Sequence, residues 1–273
     1  MSASFNASVA ARARDAALGA GAYLLAAFFV AFIFVPLFAL VARVHPSTLL
    51  AAAHGTIVRQ ALWLSLETST ASLFIIALCG TPLAALLSQP IRGRAVLEAL
   101  VTLPVVLPPV VGGLALLLAF GRAGLLGKEL NALGIHIPFT TAAVVLAQTF
   151  VAAPLYISVA RGVFARVDAN TLQAAAVLRA STAYTFARVI IPAAIPALLG
   201  GLALSWARAL GEFGATITFA GNLPGVTQTM PVAVYMATQI DLDAAIAVAV
   251  ILMLLSYGAL LLVRACGAPS ESL

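Results

Sequence analysis

From Gly21 to Ala42 the chain runs for 22 residues without a charged side chain. At about 1.5 Å of rise per residue, such a run is long enough as a helix to cross the roughly 30 Å hydrocarbon layer of a bilayer. Comparable runs recur over about 60–88, 96–120 and 139–160, from 192 onward, and over about 242–263. With 63% of the 273 residues hydrophobic and only 8% charged, a single soluble core could not hide them beneath a charged surface. In lipid, a helix satisfies its own backbone groups. The sequence therefore predicts an all-α integral membrane protein with six transmembrane helices.

The 14 Lys and Arg outnumber the 9 Asp and Glu, but they are scattered between the apolar runs. They act as topology signals and do not indicate a nucleic-acid partner. With the N-terminus in the cytoplasm, Arg12, Arg14, Arg92, Arg94, Arg161, Arg166, Arg179, Arg188 and Arg264 fall inside, and Arg43, Arg59, Arg122 and Lys128 fall outside. That asymmetry, nine against four, predicts a multi-pass protein with both termini cytoplasmic. Residues 1–20 form a cytoplasmic N-terminal segment, 21–265 a single transmembrane domain and 266–273 a tail. A cleaved signal would have a shorter apolar core, about 7–15 residues, so the first run reads as an anchor that stays.

No nucleophile with its base, no pair of carboxylates at helical spacing and no phosphate-binding glycine loop occurs. Cys79 and Cys266 lack metal-ligand or redox spacing, and His45, His54 and His136 read as isolated loop residues. Catalytic residues, cofactor and metal are therefore expected to be absent, and energy for any driven transport has to come from a partner or an ion gradient.

Three stretches stand out. In TLPVVLPPVVGG, residues 102–113, Pro104, Pro108 and Pro109 remove backbone donors and clash with preceding carbonyls, which predicts a kinked or broken helix. At membrane depth such a break needs protein or a water-filled cavity beside it, so the span either lines a pore or packs as a kink. Arg208 lies 16 residues beyond Pro192 and four before Glu212. On one helix these two share a face, about 24 Å from the proline, where a guanidinium could meet an oxyanion or simply be neutralised by the carboxylate. Between spans four and five, a polar-flanked loop at about 163–191 leads into QAAAVLRASTAYTFARVIIP, residues 173–192. Asn170 and Gln173 form an acceptable capping box for a helix from near Thr171 to Leu178, Ser181 and Thr182 can cap a second turn, and Pro192 suits the first turn of the next span.

That loop resembles the coupling motif of ABC importer permeases, with Gln173, Ala174, Ala175, Ile191 and Pro192 on its positions. Gln173 replaces the usual Glu, and Arg179 stands where the family has Gly. A side chain in the left-handed conformation that such a glycine adopts costs about 1–2 kcal/mol. Residues 102–113, FGRAGLLG at 120–127, and the segment from Arg208 to Pro231 are similar to molybdate ABC transporter permeases. The resemblance implies a type I-like fold in the cell inner membrane and a homodimeric pore for molybdate or tungstate. It also implies a cytoplasmic ABC ATPase dimer docked on the loop and an extracytoplasmic oxyanion-binding protein. Sulfate or thiosulfate import is the alternative within the family, and an ion-coupled carrier or channel is the alternative outside it.

Overall fold

The computed structural model describes the backbone of residues 2–267 and the side chains of residues 21–261 apart from those of Ala169 and Ala176. The last six residues of the expected tail, and the side chains of Arg12, Arg14, Arg264 and Cys266, lie outside the described residues. All regular structure among the described residues is helical. Two units separate, Met1–Pro46 and Ser47–Leu273. The first unit is essentially α1 (Ser2–Arg43), whose stretch Gly21–Arg43 is long and apolar enough to cross a membrane.

The second unit is built around two helices, α3 (Thr56–Leu87) and α7 (Thr141–Phe164), with α2 (Pro46–His54) leading into them. The Ser72 hydroxyl donates to the Val145 carbonyl at 2.8 Å, and Thr81 bonds the Tyr156 hydroxyl. Both contacts join residues about 75 apart, so α3 and α7 run side by side in the same direction. Against them lies α10 (Ile191–Leu210), running the opposite way. Ser205 donates to the Ala152 carbonyl at 2.9 Å, and a Cβ on the buried Gly201 would come within 3.1 Å of Val159. Small residues and short hydroxyls at these crossings let backbones approach closely, which is how helices associate where lipid offers no hydrophobic drive.

Ser65, Thr68, Ser69 and Ser72 share one fully buried face of α3, at the i, i+3, i+4, i+7 spacing of a helix stripe. The three serines among them hold three elements at once, while Thr68 donates to the Leu64 carbonyl of its own helix. Ser65 accepts from the Met230 amide at 2.7 Å, Ser69 accepts from the Trp206 indole at 2.9 Å, and Ser72 is bonded by Thr149 at 3.2 Å as well as to Val145. The sequence analysis assigns these residues no role. Their periodicity was the available signal.

The proline-rich span is broken. α4 (Arg94–Val106) and α5 (Pro109–Phe120) meet at Leu107 and Pro108 with a bend of 116°. Pro104 lies inside α4, so the discontinuity belongs to Pro108 and Pro109, where two consecutive prolines leave two residues without an amide donor. Despite the bend, the pair passes along the whole of α7. Glu98 meets Arg161 near one end, a Cβ on Gly112 would touch Phe150 midway, and Leu116 joins Val144 in a buried cluster near the other end. Counting the pair as one passage gives six candidate spans: Gly21–Arg43, Thr56–Leu87, the α4–α5 pair, Thr141–Phe164, Thr182–Leu210 and Leu242–Leu261. The last lies within α13 (Leu242–Gly267).

α5 is held by α11 (Gly214–Phe219), a short helix that follows α10 after a three-residue break. A Cβ on Gly113 would lie 2.7 Å from the Ala215 carbonyl oxygen and 2.8 Å from the Thr218 Cβ, and one on Gly214 would lie 2.7 Å from the Pro109 Cβ. The two breaks are thus docked on one another through glycines. We expect Gly113→Ala to strain this contact, because the obstructing atoms include backbone, and to destabilise the protein by about 1–3 kcal/mol, the usual range for overpacking. A melting-temperature decrease in detergent-purified protein, relative to Gly112→Ala, whose nearest neighbour is the movable Phe150 ring, is the measurement.

Candidate coupling loop and helix-break site

The loop after α7 forms α8 (Ala169–Val177) and α9 (Thr182–Thr185), then a π-helical turn, Phe186–Ile190, that passes into α10. α8 starts two residues earlier than the sequence suggests. The expected capping box between Asn170 and Gln173 does not form; Asp168 takes the cap instead, its carboxylate accepting from the Asn170 amide at 3.2 Å. Asp168 precedes the helix in sequence and carries a strong cap side chain, so the signal was present. Ser181 caps α9 as expected, accepting from the Tyr184 amide at 3.2 Å. Pro192 occupies the first turn of α10, where its missing amide is no loss, and Ile191 packs against the buried cluster around Tyr156 and Ala194.

Arg179 adopts the left-handed conformation, with φ of 54°. The Ala180 amide reaches back to the Ala175 carbonyl at 3.0 Å, the long bond of a Schellman turn that ends α8. The bend is therefore the one a glycine would make, carried here by a residue with a side chain.

Gln173, Ala174, Val177, Leu178 and Arg179 are exposed, whereas Ala175 is half-buried. Ala175 lines a cavity of about 550 Å³ together with Ala180, Phe164, Ser88, Thr185 and Phe186. Of the two alanines on the motif positions, Ala174 is exposed and Ala175 is turned in part toward this cavity. The outward apolar side chains are Val177 and Leu178, each about four-fifths exposed and three or four residues beyond Ala174.

The second site lies at the docked helix breaks. α10 ends at Leu210, and Glu212 stands just beyond its C-cap Gly211, so Arg208 and Glu212 are not on one continuous helix. They are nonetheless paired, with Arg208 Nη1 2.7 Å from Glu212 Oε2. The Glu212 Oε1 accepts from the Ala215 amide at 2.8 Å and so caps α11. Oε2 receives no aligned hydrogen bond, and the arginine contact is one of charge. Glu212 is 1% exposed, while the side chain of Arg208 remains 33% exposed. One buried carboxylate thus fixes the short helix and leaves a partly open guanidinium beside the Pro109–Gly214 contact. Of the proline candidates, Pro109 is brought to this place through Gly214, with Pro108 adjacent in sequence; Pro104 is a turn away within α4.

A third feature escaped the sequence reading. Glu98 on α4 bonds Arg94 on its own helix at 2.7 Å and pairs with Arg161 on α7 at 3.1 Å. Pairing across helices has no sequence spacing to betray it.

Residues 68–265 match the family model described as binding-protein-dependent transport system inner membrane component. The chain is 44% identical over 236 residues to the molybdenum transport system permease protein ModB of Mycobacterium tuberculosis, covering 86% of this chain and 89% of that one. It is 38% identical over 248 residues to a probable molybdenum ABC transporter permease of Haloferax volcanii, covering 89% and 88%. Among solved structures, a bacterial ABC transporter importing alginate superposes with a TM-score of 0.75 at 15% identity, over 95% of this chain and 97% of that one. The methionine transporter MetNI superposes with a TM-score of 0.60 at 19% identity, over 77% and 96%. These two likenesses concern the fold alone. The family match spans five of the six candidate spans from within α3 onward, and the chain belongs to the binding-protein-dependent ABC transport permeases, multi-pass proteins of the membrane.

Proposed function

We propose that this chain is the membrane-spanning permease subunit of an ATP-driven importer of molybdate or tungstate. The observation that carries this reading is the 44% identity to a molybdenum permease along nearly the whole of both chains. In this reading two copies form the pore, two cytoplasmic ATPase subunits dock on the α8–α9 loop, and an extracytoplasmic binding protein delivers the oxyanion. The chain itself carries out no hydrolysis. Residues 1–20 and the tail from 266 are cytoplasmic, and residues 21–265 act as one permease domain whose units cooperate in the assembly.

The loop transmits ATP-driven motion through Gln173, Ala174 and Arg179 on its exposed side, with Val177 and Leu178 supplying apolar contact, while Ala175 lets α8 lie over its cavity. Ile191 and Pro192 anchor the loop to α10. At the breaks, Pro104, Pro108 and Pro109 shape the path and Arg208 meets the oxyanion, presenting donors that its contact with Glu212 leaves free.

Orientation is tested with reporters fused at Gly127, Arg179 and Gly225. The first and last should report outside and Arg179 inside; a reversal at Arg179 removes the loop from reach of an ATPase.

The role of Arg208 separates from simple pairing in uptake assays. Vesicles with the ATPase and binding protein, at matched permease levels, should lose molybdate uptake with Arg208→Gln and also with the Arg208→Gln, Glu212→Gln double variant. Were the pair only structural, the double variant would recover, because no buried charge is left uncompensated.

Arg179→Gly relieves the left-handed strain and should stabilise the loop by up to about 1 kcal/mol, less what the added backbone freedom of the unfolded chain takes back. Hydrogen exchange of the Ala180 amide, slowed in the variant, would register it. Weaker binding of the ATPase by the same variant would assign the arginine side chain a direct contact.

A further inference from the structure

α4 is an arm with little to hold it. None of its 13 residues is buried, and a 116° bend at Leu107–Pro108 separates it from α5, so its direction is not fixed by helix continuity. Along its length it touches the buried clusters through Val101. Between α4 and α7 lies a cavity of about 300 Å³, lined by Ala99, Thr102, Ile157 and Ser158 as well as Glu98 and Arg161, so the two helices are not close-packed there. At the edge of that cavity, near the end of α4 that residues 88–93 join to α3, Glu98 is shared by Arg94 at 2.7 Å and Arg161 at 3.1 Å. Among the described residues, Glu98–Arg161 is the one ion pair that joins two different helices.

Arg161 stands in the last turn of α7, eight residues before α8 begins. The far end of the arm leads through Pro108 to Pro109, which Gly214 touches beside the Arg208–Glu212 pair. The ion pair therefore links the helix that leads into the loop with the helix that leads into the breaks. Both side chains are roughly one-third exposed, at 31% and 29%. Water and salt screen such a pair, so it adds little to stability and can open and close readily.

We propose that Glu98 is a positioning residue for transport: its ion pair with Arg161 is a releasable latch that sets the angle of the α4 arm against α7, and the arm swings on the Pro108–Pro109 break as the loop moves. The inference rests on the transport reading above.

The test uses the complete transporter, permease with ATPase and binding protein, in vesicles. Glu98→Gln should leave the melting temperature close to wild type, raise ATP hydrolysis without binding protein several-fold, and lower molybdate imported per ATP several-fold. A second variant keeps the arm closed. In a background with Cys79→Ala and Cys266→Ala, Glu98→Cys and Arg161→Cys are joined by a reductant-cleavable bis-thiol reagent. Uptake should stop on joining and return on reduction, within one and the same folded sample. Wild-type coupling in Glu98→Gln, or full uptake by the joined variant, overturns the latch. Failure of the wild-type assembly to import molybdate with its binding protein would instead overturn the transport reading.

Discussion

Everything in the second unit depends on the hydroxyl stripe of α3. Three serines on one face, Ser72, Ser69 and Ser65, give that helix hydrogen bonds to α7, to α10 and to the start of α12 (Met230–Thr238). In a bilayer, apolar side chains alone give helices no reason to prefer one another over lipid. Specific polar contacts and close small-residue crossings set which helices meet and at what height. Once α3, α7 and α10 are fixed, the broken elements have a surface on which breaks can be tolerated.

Those breaks are the costly part of the fold. Two prolines at one and three non-helical residues at the other leave backbone groups that lipid could not satisfy. The protein places the two discontinuities against each other, with Gly113 and Gly214 allowing backbone to meet backbone. Glu212 satisfies the Ala215 amide in the first turn of α11 where no helix continues, and its other oxygen sits against Arg208. The same carboxylate thus serves as cap and counter-ion, which explains why it is nearly fully buried in a chain with so few charges.

Much of this was legible in the sequence. The spans, the break at the prolines, the Ser181 cap and the turn at Arg179 follow from rules local to a few residues, and local rules survive folding. The capping box at Asn170 and Gln173 failed because a better cap, Asp168, lay just outside the window considered. The cavity beside Ala175 was not legible because one of its walls, Ser88, lies far away in sequence. Glu212 was read as a helix neighbour of Arg208, since nothing in an i, i+4 spacing reveals that the helix stops between them at Gly211. The Glu98–Arg161 pair was invisible for the plainest reason: 63 positions separate its members.

The bent pair also constrains how the chain is made. With 13 and 12 residues, α4 and α5 measure about 20 Å and 18 Å, so neither half can cross a bilayer core of roughly 30 Å by itself. During synthesis the two must enter the membrane as a single apolar stretch. The glycine that receives Pro109 emerges about a hundred residues later. The bend is therefore completed late, after α10 and α11 arrive, and a ribosome-bound chain that ends before Gly214 holds this span without the surface on which its break is docked.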